Sequence, residues 1–159
     1  MSMEDLSSVL WRERDLLETL LYKLEVEQLV LATGRTQWLA KAAQEIEAVL
    51  DGIREIELLR AVELDAVAAE LGLEPSPSLR DIADRSEEPW RDIWLDHREA
   101  FTTVATEIQQ MSISNRELLT SGYQAAQATL LSLTENPGTY DAEGAVAADR
   151  RTSLVDRSL

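Results

Sequence analysis

The chain has 159 residues, with 30 Asp and Glu against 15 Lys and Arg, a formal net charge of −15 and no cysteine. That length suffices for one helical core without metal or disulfides, and the lack of cysteine excludes a disulfide framework and any thiolate metal site. The acidic excess repels phosphate backbones and anionic lipid, which argues against nucleic acid and membrane surfaces as partners and fits a solvated acidic face.

The opening stretch MSMEDLSSVLWRERDLL is acidic from its fourth residue and has no basic segment leading into an apolar run. No stretch approaches the ~20 apolar residues of a membrane span, so no span and a cytoplasmic location are expected. From Leu6 to Leu31 leucines recur at Leu10, Leu17, Leu24 and Leu31, with Leu20 and Leu21 filling the intermediate turn. This spacing predicts a helix with a coiled-coil-like seam over about 4–33, with Glu13, Glu18 and Lys23 off the seam and Gly34 as its stop. A second pattern through Leu39, Ala43, Ile46, Leu50, Ile53, Ile56 and Leu59 predicts a helix over 36–71, stopped by Gly72 and Pro75. The short connection makes the two antiparallel neighbours. Gly52 inside the second costs about 1 kcal/mol relative to Ala.

Pro75 and Pro77 open a connection in which Ser78 and Asp81 form a capping signature for a helix of one or two turns. Ser86 is the expected N-cap of a third long helix over 87–134, with Glu87, Glu88 and Pro89 in its first turn. Its seam is Trp90, Trp94, His97, Phe101, Val104, Ile108, Met111, Asn115 and Leu118, alternating steps of four and three. Beyond Leu118 the same positions are Gly122, Ala125, Thr129 and Ser132, and apolar residues move to a stripe about 100° around the helix: Leu119, Tyr123, Ala126, Leu130 and Leu133. Two readings stay open for this stripe: packing against the start of the first helix, or an exposed partner-binding face. Asn136, Pro137 and Gly138 end the pattern. The fold class is therefore all-α: an elongated antiparallel bundle or coiled coil of three long helices with a short linker helix. Residues 1–144 form one helical domain, and 145–159 a disordered C-terminal tail poor in apolar residues.

Chemistry is hard to place on this chain. A di-metal carboxylate bundle needs two Glu-x-x-His units, whereas the one histidine, His97, is preceded at that spacing by Trp94. No phosphate loop, dinucleotide fingerprint or second histidine to activate a serine is present. No cofactor, no metal and no enzymatic activity are expected. His97, Trp90 and Trp94 are read as seam residues and Asn115 as a register-setting polar position.

The stretches VLWRERDLLETLLYKLEVEQLVLATG, EIEAVLDGIREIELLRA and SNRELLTSGYQAAQATLLSLTENPGTYDAEG resemble the FlgN family of flagellar export chaperones, over most of the chain to about Gly144. The resemblance rests on the long hairpin, the Asn-x-x-Leu-Leu entry to a final amphipathic segment and the TYDAEG sequence. It implies a cytoplasmic type III export chaperone that binds the C-terminal helices of the hook-filament junction proteins FlgK and FlgL, prevents their premature assembly and delivers them to components of the export apparatus. It also implies that client contacts lie in the C-terminal helical region, here Leu118, Leu119, Tyr123, Ala126, Leu130, Leu133 and Tyr140. A self-associating structural coiled coil and a secretion adaptor with other clients are the alternatives.

Overall fold

A computed structural model describes residues 2–134. Among these there is no strand; the elements are α1 (Ser2–Thr33), a single 3-10 turn (Thr36–Trp38), α2 (Leu39–Leu71), α3 (Leu79–Arg85) and α4 (Trp90–Thr134). The helix stop expected at Asn136 to Gly138 and the tail after Gly144 lie outside the described residues.

Helix α1 contains neither Pro nor Gly, and Glu4 and Asp5 occupy the first turn, where they complement the helix dipole. It ends at Gly34, whose φ of 71° lets Arg35 N–H turn back to the Val30 carbonyl at 3.2 Å. The same device closes α2: Gly72 has φ 71° and Leu73 N–H reaches the Ala68 carbonyl at 2.8 Å. The Ser78–Asp81 capping box of α3 is present. Asp81 N–H donates to Ser78 Oγ at 3.1 Å, and Ser78 N–H donates to Asp81 Oδ2 at 3.0 Å. These bonds hold the Asp81 carboxyl below its ordinary range.

Two expected boundaries shift. Thr36–Trp38 is a 3-10 turn and α2 begins at Leu39. Ser86 does not cap α4, which begins at Trp90. Its buried hydroxyl donates to the Ile82 carbonyl at 2.7 Å and accepts the indole N–H of Trp94 at 3.1 Å, so it ties α3 to α4. A buried Trp N–H needs such an acceptor, and that demand overrides the capping signature.

Cross-helix polar pairs set the directions. Lys23 meets Glu45 at 3.2 Å and Glu13 meets Arg60 at 3.1 Å, so α2 runs antiparallel to α1. Arg14 meets Asp96 at 3.1 Å and Gln28 Nε2–H donates to Ser114 Oγ at 2.9 Å, so α4 runs parallel to α1. Helix α1 is thus the central strut, with α2 and α4 both packed on it and α3 packed on α4. Its buried positions include Leu6, Leu10, Glu13, Leu17, Leu20, Leu24 and Glu27, in alternating steps of four and three, with Val9 buried beside them. They meet Ile46, Leu50 and Ile53 of α2, and Trp94, Phe101 and Ile108 of α4. The expected α4 seam is realised at Trp94, His97, Phe101, Ile108 and Asn115, which are buried, with Trp90 stacked on Trp94 at 5.2 Å; Val104 and Met111 are only half-buried, and the next residues, Ala105 and Ser112, take the inward positions instead.

Glu13 corrects the expected seam. Read as an off-seam surface charge, it is fully buried, facing Arg60. Burial pushes its carboxyl up to about 7; the Arg60 charge opposes this and Glu57 adds to it. Asn115 is buried too and donates through Nδ2 to the Leu24 carbonyl at 2.9 Å and to Glu27 Oε1 at 3.1 Å. A slip of α4 along α1 by one turn would strand these groups unpaired, which fixes the register.

Gly52 sits mid-helix in α2, where an added Cβ would meet the Leu16 side chain at 3.4 Å, an ordinary contact. Gly52→Ala is expected to raise stability by about 0.5–1 kcal/mol, since Gly loses more backbone entropy on helix formation. Urea unfolding of the two proteins measures it, and a loss of stability would show that α2 needs the close approach to Leu16.

Candidate docking helix at the end of the bundle

The Gln28–Ser114 pair places the last residue of α1, Thr33, level with about Leu119 of α4. Helix α4 continues to Thr134, so residues 120–134 run past the α1–α2 turn for about 22 Å at 1.5 Å per residue. The expected alternative, packing against the start of α1, does not occur, because parallel α1 begins level with the opposite end of α4. Gly122 has open space where a side chain would stand.

The residues assigned to client contact fall on this extension. Leu118 and Leu119 are half-buried where the extension leaves the bundle, Tyr123 is half-buried, and Ala126 is exposed. Leu130 is 43% and Leu133 75% exposed, which is far from a core environment. Tyr140 lies outside the described residues. Steps of four and three along Leu119, Tyr123, Ala126, Leu130 and Leu133 put these side chains on one face.

Sequence reading missed Leu131, exposed at the flank of this face; the Leu130–Leu131 doublet was its signal. It also missed that Leu118–Thr134 contains no Asp, Glu, Lys or Arg, in a chain of which 28% is charged. The hydroxyls of Thr129 and Thr134 are satisfied within the helix, donating to the Ala125 and Leu130 carbonyls at 3.0 and 2.8 Å. A helix with this composition, out of reach of the bundle core, meets a second apolar surface without charge repulsion or charge desolvation.

The chain's histidine is enclosed elsewhere. Arg14 Nη1–H donates to His97 Nδ1 at 3.3 Å, while Trp11 meets the ring edge-on at 5.1 Å and Phe101 stacks with it at 6.3 Å. A guanidinium only donates, so Nδ1 is the acceptor and the imidazole is neutral with its proton on Nε2. Burial pulls its pKa down to about 4, with Arg14 adding to the effect and Asp96 opposing it. Among the described residues no three His, Asp or Glu side chains gather to hold a metal ion, and no helix is long and apolar enough to cross a membrane.

An acidic, up-down-up helical bundle whose last helix outruns its partners belongs to the class of elongated all-α proteins. The model of the FlgN protein family matches residues 1–148, and the chain belongs to that family. It is accordingly a flagellar export chaperone. No curated protein and no solved structure matches it.

Proposed function

We propose that residues 118–134 of α4 are the client-docking surface, with Leu118, Leu119, Tyr123, Ala126, Leu130 and Leu133 as its contacts and Tyr140 extending it. The clients are the hook-filament junction proteins FlgK and FlgL, engaged through their C-terminal helices in the cytoplasm, held from premature assembly and passed to the export apparatus without any chemical step. One observation carries this reading: an uncharged amphipathic helix runs on past the bundle with Leu130, Leu131 and Leu133 exposed. A client helix laid along that face buries both apolar stripes, each enclosed leucine contributing roughly 1.5–3 kcal/mol before ordering costs. Ordering the partner offsets part of that gain, which leaves a releasable complex suited to a carrier.

The test is calorimetric titration of the chaperone with C-terminal fragments of FlgK and FlgL. Saturable binding with a negative heat-capacity change is expected, as apolar burial requires. Absence of binding, with sedimentation showing that the chaperone alone self-associates through the same leucines, would favour the structural coiled coil instead.

A further inference from the structure

A cleft of about 620 Å³ opens between α2, α3 and α4, with Arg60, Arg80 and Arg98 around it and Leu64, Leu79 and Phe101 among its apolar walls. Three of the chain's 15 cations converge here, although acids outnumber them two to one. In such a chain a guanidinium readily finds a carboxylate, yet Arg80 and Arg98 have no ion-pair partner among the described residues. Arg60 points its charge at the buried Glu13 from the inner side. Two exposed guanidiniums without an ion pair stand beside an apolar wall, and a planar carboxylate is the group that guanidinium geometry matches.

We propose that this cleft binds an acidic segment of a partner polypeptide, with a carboxylate held by Arg80 and Arg98 and a neighbouring apolar side chain against the half-buried Leu64 and Leu79. Asp81 argues against a compact dianion such as phosphate, since its ionised carboxylate is part of the same wall and would oppose the second negative charge. The apolar wall likewise suits a peptide side chain and offers nothing to a bare anion. Along α4, Phe101 stands about 27 Å before Leu119, so the cleft is a second site, separate from the docking helix and occupied independently of it.

The probe is a phage-displayed library of short randomised peptides, selected on the full chain and counter-selected on the R80S/R98S variant. The two side chains are unpaired, so the variant should melt at the parent's temperature. Peptides lost on the variant are expected to carry Asp or Glu next to Leu, Ile or Phe. A synthesised example should bind the parent at least about tenfold more tightly than the variant, lose the same factor when its acids become amides, and resist displacement by inorganic phosphate. The charge-reversed R80E/R98E variant should select basic peptides instead, which keeps the test informative should the serine variant fold poorly. Selection that does not differ between parent and variants, recovered peptides without carboxylates, or displacement by phosphate alone would each overturn the proposal.

Discussion

Leu130→Asp is expected to weaken binding of a FlgK or FlgL C-terminal fragment by on the order of a hundredfold or more while leaving the thermal melt of the chaperone close to the parent's. Leu130 is 43% exposed and lies on the part of α4 that outruns α1, so its replacement removes no core contact of Leu17, Leu24 or Phe101. In a complex the carboxylate would be enclosed between two apolar stripes without a partner on its own helix, where residues 118–134 supply no cation. An unpaired charge there costs several kcal/mol, and each 1.4 kcal/mol is a factor of ten in affinity. Leu131→Asp, at the flank, should cost less. A variant that binds as tightly as the parent would remove residues 118–134 as the client surface, and a variant that unfolds would show that the stripe belongs to the core.

The second large effect is a pH dependence built from two buried groups that work in opposite directions. His97, held down to about 4 from an ordinary 6.5, binds its proton more weakly in the folded chain than in the unfolded one. As pH falls through 6.5 the unfolded state takes up the proton first, so the stability that His97 confers is complete above 6.5 and lost by about pH 4. Glu13, pushed up from 4.5 to about 7, behaves inversely: the folded state keeps the proton, and stability is complete below pH 4.5 and lost as pH rises to 7. Each shift corresponds to about 3 kcal/mol by linkage, and between pH 4.5 and 6.5 the two slopes nearly cancel. Unfolding free energies measured across this range for the parent, His97→Gln and Glu13→Gln should separate them. Removal of His97 should leave a chain that loses stability toward neutrality, and removal of Glu13 one that loses it toward acid. Parallel pH profiles for all three proteins would mean that neither group is desolvated to this extent.

Much of this architecture was legible before any coordinates. Glycine and proline act through local backbone sterics, so Gly34, Gly72 and Pro75 marked the helix limits directly. The alternation of four and three named Trp94, His97, Phe101, Ile108 and Asn115 on the buried face of α4, because helical period decides which residues share a side; it missed Ala105 and Ser112, which are small or polar and carry no hydrophobic signal. The stripe of Leu119, Tyr123, Ala126, Leu130 and Leu133 was visible for the same reason.

Tertiary structure decided what these faces meet. The α1 seam passes through Glu13 and Glu27, which residue type assigns to the surface; they are buried because leucines on the same alternation fix the inward face, and Arg60 and Asn115 on the neighbouring helices come to meet them. Ser86 carries a capping signature, yet its hydroxyl goes to the Trp94 indole, a partner eight residues away that only the α3–α4 packing brings within reach. Whether the last stripe is covered or free depends on where α1 ends relative to α4. Sequence determined the helices and their apolar faces, since those follow from 3.6-residue periodicity and backbone sterics. Register between helices determined that the face is half-buried at Leu119 and Tyr123 and open at Leu130 and Leu133, since it depends on contacts between residues more than eighty positions apart.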